Sequence, residues 1–300
     1  MTDSDTITRN AKSNLAFTLV DLPEEKRIHM AQFYAFCRIV DDVVDEPGMS
    51  PEERHAALDR WAALITRQIA PEPGLEQEVY TLVTDLQLDT APMLELIDGC
   101  RSDIQHTQPE TREDLLAYAY KVAACVGITS ASVMGAGPEA KAYAIALGNA
   151  LQLVNILRDV AEDCRKHGRF YLPKADMELF GVTHEDIRQQ RYNYRVRQLL
   201  AYEAALAEKY FGEAEECYQA LSVEDRNALI PAQAMSLIYH TVLEKMQADE
   251  YRVFERRYSV NNFHKLWFLL RARLGSVEFP SVAEWGFFKN SPDNRKDTPS

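Results

Sequence analysis

Residues 152–163 have the sequence QLVNILRDVAED, in which polar and apolar residues recur at helical spacing. Residues three and four apart share one face of an α-helix, and the intervening Leu, Val and Ile residues favour burial of this helix. Amides and acids inside such a helix are costly unless they bind something. The stretch therefore predicts a buried helix with a polar binding stripe, made by Gln152, Asn155, Asp159 and Asp163, with Glu162 beside it.

Residues 34–46 form a second stretch of this kind, YAFCRIVDDVVDE. Its polar residues also step by three or four through apolar sequence, so they share a helical stripe: Tyr34, Arg38, Asp41 and Asp45, with Asp42 adjacent. Taken alone, such a cluster is equally typical of a solvated acidic surface. Two apolar helices that both carry carboxylates spaced i, i+4 instead favour acids that face a shared cavity.

Carboxylate and amide oxygens without His or Cys suit hard cations such as Mg²⁺. Mg²⁺ keeps several waters and is bound through one or two carboxylates together with phosphate oxygens of a substrate. We therefore predict that Mg²⁺ clamps a diphosphate between the two helices and stabilises its departure, leaving an allylic cation in an apolar cavity. The predicted metal-binding acids are Asp41, Asp42, Asp45, Asp159, Glu162 and Asp163.

The rest of the chain has helical periodicity and almost no strand signals. We predict helices over residues 24–46, 51–69, 75–88, 90–105, 111–134, 138–166, 184–220, 224–257 and 261–274. The connections are short, which favours one compact all-α domain over residues 1–288. The polar, Pro-containing stretch 289–300 is predicted to be a disordered tail.

Charge and cysteine content indicate which binding partners and which cellular compartment to expect. The formal net charge of −13 argues against nucleic acid and against adhesion to anionic lipid through overall charge. The five cysteines form an odd set without a C-x-x-C pair, which is typical of a reducing compartment. The N-terminal residues lack the apolar core of a signal peptide, so we expect a cytoplasmic protein.

Three motifs together resemble the squalene/phytoene synthase family, whose members join isoprenyl diphosphates head to head. They are Tyr34-x-x-x-Arg38-x-x-Asp41-x-x-x-Asp45, then Gln152-x-x-Asn155-x-x-Arg158-Asp159-x-x-Glu162-Asp163, then Gly168-Arg169-x-Tyr171-x-Pro173. The resemblance runs from about Lys12 to Arg257. It implies a prenyltransferase with an isoprenoid-synthase-type helical bundle, in which the two acidic helices form opposite walls of a central channel.

The resemblance also implies roles for individual residues. Catalytic residues would be Tyr34, Arg38, Tyr118 and Arg158, with the two arginines contacting phosphate. Substrate-binding residues would be Val122, Ala123, Val126, Gly127, Gln152, Asn155, Tyr171, Tyr239 and Arg256. Without the resemblance, Tyr118 and Tyr239 have an alternative interpretation as core tyrosines. Arg38 and Arg158 have one as intrahelical partners of Asp42 and Glu162. Two departures from the family pattern are Asn14 after Lys12-Ser13, and Ala124 in place of the glycine that usually follows Val-Ala.

For the reaction, we favour condensation of two farnesyl diphosphates to presqualene diphosphate or squalene, with Tyr118 or the leaving pyrophosphate as base. The alternative is condensation of two geranylgeranyl diphosphates to phytoene. A prenyl diphosphate hydrolase or a non-catalytic helical protein are further alternatives. NADPH is expected only if squalene is the product. The stretch Gly135-Ala-Gly137-Pro-Glu-Ala140 formally fits the dinucleotide fingerprint G-x-G-x-x-A, but no strand precedes it, so we interpret it as a turn between helices.

The product would dissolve in lipid, so transient membrane contact is expected. Two aromatic stretches are candidates for that contact: Phe263, Leu266, Trp267 and Leu270, and Trp285, Phe287 and Phe288. Our interpretation is that both belong to the C-terminal core, because apolar stripes at helical spacing usually pack.

Overall fold

A computed structural model describes residues 2–10, 18–19, 22–45 and 48–274, and the described part is helical without strands. The predicted tail 289–300, the departure at Asn14, and Trp285, Phe287 and Phe288 lie outside the described residues. The helices are α1 Asp3–Asn10, α2 Glu24–Asp45, α3 Pro51–Ile65, α4 Leu75–Asp85, α5 Ala91–Ile104, α6 Arg112–Ala119, α7 Cys125–Val133, α8 Ala140–His167, α9 Lys174–Leu179, α10 His184–Arg188, α11 Tyr194–Ala220, α12 Val223–Ala228, α13 Ile230–Ala248 and α14 Asn262–Leu274.

The predicted all-α class is confirmed, and most predicted helices are present. Three details differ. The predicted helix 184–220 is interrupted, because the Asn193 side chain accepts a hydrogen bond from the Val196 N–H at 3.1 Å and starts α11 as a new helix. The predicted helix 224–257 is also broken, and its last part ends at Ala248, before Glu250 and Tyr251 adopt positive φ angles. Helices α1 and α9 were not predicted.

Helix α8 carries the second acidic stretch and lies at the centre of the bundle, between α11 on one side and α7 on the other. Most of its apolar residues are buried, as its sequence predicts. Two glycines allow very close approach between α8 and the segment Tyr120–Val133: Gly127 of α7 and Gly148 of α8. A Cβ built on Gly127 would lie 2.9 Å from the Ala144 carbonyl oxygen, and one on Gly148 would lie 2.4 Å from the Ala124 Cα. Only glycine allows this spacing without displacing backbone.

A single π-helical turn, Tyr120–Ala124, joins α6 to α7. One inserted residue changes which side chains face inward, and such turns are frequent at functional sites. The continuous segment Arg112–Val133 is long and apolar enough to cross a membrane by length and composition alone. In the structure it packs against α5 and α8 and forms a wall of the central cavity.

A buried charge cluster ties α6 to α9 and α11. The Arg112 guanidinium contacts the Asp176 carboxylate at 3.1 Å and the Glu203 carboxylate at 3.4 Å, and it stacks over the Tyr202 ring. Glu203 is almost fully buried, at 1% exposure. Burial and the adjacent Asp176 raise the pKa of Glu203 to about 8, while Arg112 opposes the shift.

The Glu203 carboxyl is expected to make stability depend on pH. Because the folded state holds its proton more tightly than the unfolded chain, this group lowers the free energy of unfolding as pH rises from about 4.5 to about 8. Glu203→Gln removes this titration. The free energy of unfolding of the variant, relative to that of the parent, should therefore increase from pH 5 to pH 8, as measured by urea unfolding. The exposed residue Glu213 on the same helix provides the control, and Glu213→Gln should keep a constant offset. A constant offset for Glu203→Gln as well would contradict the assignment.

The interpretation that the apolar stripe of α14 belongs to the core is wrong for most of its residues. Phe263, Leu266 and Leu270 are exposed, whereas Trp267 packs partly against the core. The buried face of α14 is instead formed by Phe268, Leu269 and Ala272.

Candidate active site

A cavity of about 480 Å³ runs through the bundle between α2, α5, the segment from α6 to α7, α8 and α13. One end is polar and the remainder is lined mainly by apolar side chains. The cavity wall includes eleven of the predicted site residues: Tyr34, Arg38, Asp41, Tyr118, Val122, Ala123, Val126, Gly127, Gln152, Asn155 and Tyr239. The two polar stripes therefore meet at one cavity, and the roles of these residues stay predictions.

On α2, the Arg38 guanidinium lies 3.2 Å from the Asp41 carboxylate and 2.5 Å from that of Asp42. The predicted alternative of an intrahelical pair is thus present. The Asp41 side chain is 61% exposed at the cavity, yet the surrounding protein atoms limit its hydration, and this desolvation raises its pKa to about 6. Arg38 opposes that rise, and the neighbouring Asp45 and Asp42 add to it.

On α8, the carboxylate of Asp159 is paired by two arginines. Arg158 donates to it from Nε at 2.9 Å, and Arg257 lies 3.2 Å away. Burial and the charges of Asp159 and Glu162 raise the pKa of Asp163 to about 7. Glu162 pairs with Lys166, which holds its pKa low, and with Arg257 at 3.3 Å. Asp159 and Glu162 are therefore paired with cations, whereas Asp163 is in no ion pair among the described residues and its pKa is raised.

The segment after α8 connects the two acidic stretches. Gly168 adopts a left-handed conformation (φ 67°) that ends the helix and turns the chain. The next residue, Arg169, is 9% exposed and contacts the Asp45 carboxylate on α2 at 2.8 Å. Two residues further on, the Tyr171 hydroxyl donates to Asp103 at 3.0 Å. The third motif, Gly168 to Pro173, therefore links the end of α8 to α2 through Arg169 and to α5 through Tyr171.

Asp103, near the end of α5, is the functional candidate that sequence reasoning missed. Its carboxylate lies on the cavity wall and accepts hydrogen bonds from Tyr118 at 2.9 Å and from Tyr171 at 3.0 Å. The two tyrosine rings stack with centroids 5.1 Å apart. Burial raises the pKa of Asp103, against the opposing effects of Arg169 and the two hydroxyls. Asp103 therefore fixes Tyr118, the predicted catalytic tyrosine, in one position.

Asp103→Asn is expected to lower turnover roughly 10- to 100-fold, because hydrogen bonds to a charged acceptor contribute about 1.5–3 kcal/mol and Tyr118 would lose its orientation. Steady-state assays with a prenyl diphosphate would measure this. Asp98 lies on the same helix and pairs with Lys121 at the exterior, so Asp98→Asn is the matched control. Equal rates for both variants would contradict a positioning role for Asp103.

The pKa of Tyr118 is raised well above its usual range by burial and by the adjacent Asp103 carboxylate. The phenol is therefore protonated at neutral pH and acts as a hydrogen-bond donor. Tyr118 and the leaving pyrophosphate both stay predicted candidates for the base.

Two adjacent arginines late in the chain make different contacts, and the substrate-binding role predicted for Arg256 stays a prediction. Arg256, the predicted substrate-binding residue, pairs with Asp249 at 3.3 Å, whereas its neighbour Arg257 contacts Asp159 and Glu162. The segment here is irregular, so adjacent residues point in different directions. On the α13 wall, Tyr239 lies close to the Arg158 guanidinium.

Arg257→Gln is expected to raise the KM for the diphosphate substrate several-fold, since a half-exposed guanidinium near the anionic end contributes about 1 kcal/mol. Arg256→Gln should have a smaller effect, because Arg256 pairs away from Asp159. Initial rates over a range of substrate concentrations would compare the two. A larger effect at Arg256 would restore the alignment predicted from sequence.

The side chains at the polar end fit an Mg²⁺ ion that is coordinated by protein and substrate together, rather than one that the protein binds alone. The carboxylates of Asp41 on α2 and Asp103 on α5 line the cavity, and the buried Asn155 Oδ1 has no hydrogen-bond partner. The predicted metal-binding acids Asp42, Asp45, Asp159, Glu162 and Asp163 are not part of its wall. Among the residues that the structure describes, no three Asp, Glu, His or Cys side chains converge into a complete cation site. Mg²⁺ needs only one or two carboxylates when substrate phosphate supplies the remaining ligands.

The fold and cavity define an all-helical protein with a long internal cavity, which has charged side chains at one end and a mainly apolar lining elsewhere. A model of the squalene/phytoene synthase family matches residues 8–264, and the chain belongs to this family. Members of the family are prenyltransferases, so the comparisons confirm the predicted enzyme class.

Curated relatives extend over most of the chain. A phytoene synthase from Daucus carota is 36% identical over 91% of this chain and 69% of its own length. A 15-cis-phytoene synthase from Synechococcus elongatus is 34% identical over 86% of this chain and 87% of its own. The alignment with phytoene synthase 3 from Zea mays spans only 61% of that protein.

Solved structures share the fold. A dehydrosqualene synthase in complex with a ligand superposes with a TM-score of 0.76 at 28% identity, covering 91% of this chain and 94% of the other. A squalene synthase from Alicyclobacillus acidocaldarius gives a TM-score of 0.72 at 28% identity, with coverage of 83% and 93%. These matches confirm the predicted isoprenoid-synthase-type bundle.

Proposed function

We propose that this enzyme condenses two geranylgeranyl diphosphates head to head into phytoene. The observation that carries the proposal is the similarity to curated phytoene synthases, at 34–36% identity across most of the chain. The squalene and dehydrosqualene synthases among the solved structures are 28% identical. The comparisons thus favour the alternative over the farnesyl substrate that the sequence analysis preferred.

The cavity suits this substrate at both ends. Arg38, Arg158 and Arg257 lie with the acids at the polar end, where guanidinium groups can bind diphosphate oxygens in a bidentate manner. The prenyl chains would extend past Val122 and Val126 into the apolar part. Each buried CH₂ group contributes about 0.8 kcal/mol, so a long chain is held firmly and water is excluded from the reacting carbons.

Mg²⁺, when bound by the two acidic stripes, would supply electrostatic stabilisation of the departing pyrophosphate. Asp103 and Tyr171 hold the Tyr118 hydroxyl at the cavity wall, where it donates a hydrogen bond. Phytoene formation ends in loss of a proton, whereas squalene formation needs a hydride. We therefore propose that the reaction requires no NADPH.

The test is incubation of the purified protein and Mg²⁺ with geranylgeranyl or farnesyl diphosphate, separately, with and without NADPH. Extracted products are identified by mass spectrometry. A C40 hydrocarbon formed without NADPH from the C20 substrate is the expected result. A C30 product from the C15 substrate alone would overturn the substrate assignment, and free prenyl alcohol alone would replace condensation with hydrolysis.

A further inference from the structure

Helix α8 follows the cavity from its polar end into its apolar part. Gln152 and Asn155 lie at the polar end, and the wall continues towards the N-terminus of the helix through Leu147 and Ala144 to Tyr143. At 1.5 Å per residue, Tyr143 lies roughly 18 Å from Asn155 along the helix axis. This distance is comparable with the length of an extended C20 prenyl chain. Tyr143 therefore lies where the last isoprene unit of such a chain would stop.

The packing of the neighbouring segment agrees with this placement. Gly148 lies against Ala124, and Gly127 lies against Ala144. The segment Tyr120–Val133 therefore runs antiparallel to α8, and its C-terminal end lies beside the part of α8 that carries Tyr143. Met134 follows directly and also lines the cavity. The two segments thus lead together from the polar end to the apolar end.

The Tyr143 ring is fixed from the side opposite the cavity. Its hydroxyl donates to Gln233 Oε1 on α13 at 3.0 Å, and Gln233 Nε2 donates to Glu215 Oε2 on α11 at 3.2 Å. The ring also packs against that of Tyr218, with centroids 5.3 Å apart. Tyr143 is only 1% exposed, so its ring fills the space between the cavity and α11 rather than projecting into the cavity.

Other large side chains of the cavity wall are more adaptable. Met30, Met134 and Met235 all line the cavity. Methionine is unbranched and flexible, so it adjusts to the shape of a ligand. A tyrosine that is buried and hydrogen-bonded through its hydroxyl keeps one orientation. Tyr143 is therefore less able than these methionines to move aside for a longer chain.

We propose that Tyr143 sets the longest prenyl chain that the cavity accepts, and that Gln233 holds its ring in place. Tyr143 contacts the last isoprene unit, whereas Gln233 acts through Tyr143 as a positioning residue. The proposal rests on the proposed function for its substrate class, a prenyl diphosphate. It does not depend on whether the preferred substrate is C15 or C20.

The test is binding of C15, C20 and C25 prenyl thiolodiphosphates, which resist ionisation, to the purified protein with Mg²⁺, measured by calorimetry. The parent should bind its best chain more tightly than the chain one isoprene unit longer. Tyr143→Ala removes a ring about as large as one isoprene unit, so it should raise the relative affinity for the longer chain at least about tenfold. Tyr143→Phe and Gln233→Leu keep the ring but remove its hydrogen bond, and each should raise this ratio about threefold.

The matched controls are Tyr218→Phe and Leu200→Ala. Tyr218→Phe removes a hydroxyl from the ring behind Tyr143, and Leu200→Ala opens a void in the core away from the cavity wall. Neither should change the ratio of affinities. Thermal unfolding would verify that each variant folds, and Tyr143→Phe and Gln233→Leu keep the core filled if Tyr143→Ala does not fold.

An unchanged ratio in every folded variant at positions 143 and 233, or an equal change in the controls, would overturn the proposal. Equal binding of the longer chain by the parent would overturn it as well. Analysis of the products of the parent tests the proposed reaction separately. If the parent releases only prenyl alcohol, the proposed condensation fails, while the ratio of affinities still decides the role of Tyr143.

Discussion

Asp159→Asn is expected to lower turnover by at least about 100-fold while the fold remains intact. The carboxylate is 15% exposed and lies between Arg158 and Arg257, beside the wall that Asn155 lines. The amide keeps the size of the side chain but loses the negative charge that a hard cation needs. Loss of that ligand removes stabilisation of the departing pyrophosphate, which is the charge that develops in the transition state.

Single-turnover and steady-state rates over a range of Mg²⁺ concentrations would measure this effect. Asp59→Asn is the matched control, because Asp59 also pairs with an arginine, Arg101, but on the outer surface of α3. The control should retain the parental rate and Mg²⁺ dependence. Near-parental turnover of Asp159→Asn at saturating Mg²⁺ would remove this acid from the mechanism.

Helical periodicity was sufficient to find both polar stripes, because each is local in sequence. Gln152 and Asn155 step along one helix, and Tyr34 and Arg38 along another, and all four line one cavity. The hydrophobic residues between the polar ones also indicated correctly that these helices are enclosed. Periodicity predicts which side chains share one face of a helix, and the candidate site is formed by such faces.

Asp103 could not be found in this way, because its partners are distant along the chain. Tyr118 and Tyr171 lie 15 and 68 residues away, so no local spacing connects them. The π turn is equally invisible, since one extra residue in an apolar helix leaves no mark on composition. The contacts of Arg256 and Arg257 are similarly hard to predict, because both lie outside a regular helix, where periodicity does not decide which side chain faces the Asp159 carboxylate.

The preference for a C15 or a C20 substrate could not be predicted from the sequence for a different reason. It depends on the depth of a cavity whose apolar lining comes from five segments of the bundle. A pocket discriminates only about 1–3 kcal/mol per methylene, so small shifts of packing decide the preference. Sequence patterns do not indicate the depth of a cavity, whereas the curated relatives support a proposal about the substrate.

Gly148→Ala is expected to destabilise the protein by about 3 kcal/mol, the upper end of the usual range for overpacking. Its Cβ would lie 2.4 Å from the Cα and 2.6 Å from the N of Ala124, so α8 and the π turn would have to separate. For a chain of this size the loss corresponds to a decrease in Tm of roughly 6 °C. Gly148 precedes Gln152 by one turn and faces the backbone beside Ala123, so the same separation would deform the cavity wall and lower turnover.

Gly212 provides the matched control, because it also lies inside a long helix, α11, but a Cβ there meets no atom within 4 Å. Gly212→Ala should be neutral or stabilise the protein by up to about 1 kcal/mol, since alanine costs less entropy in a helix than glycine. Opposite shifts of Tm for the two substitutions would show that contact between α8 and the π turn, rather than helix propensity, requires glycine at 148. A parental Tm for Gly148→Ala would mean that the two elements can separate at little cost, and the cavity wall would then be more deformable than its close packing indicates.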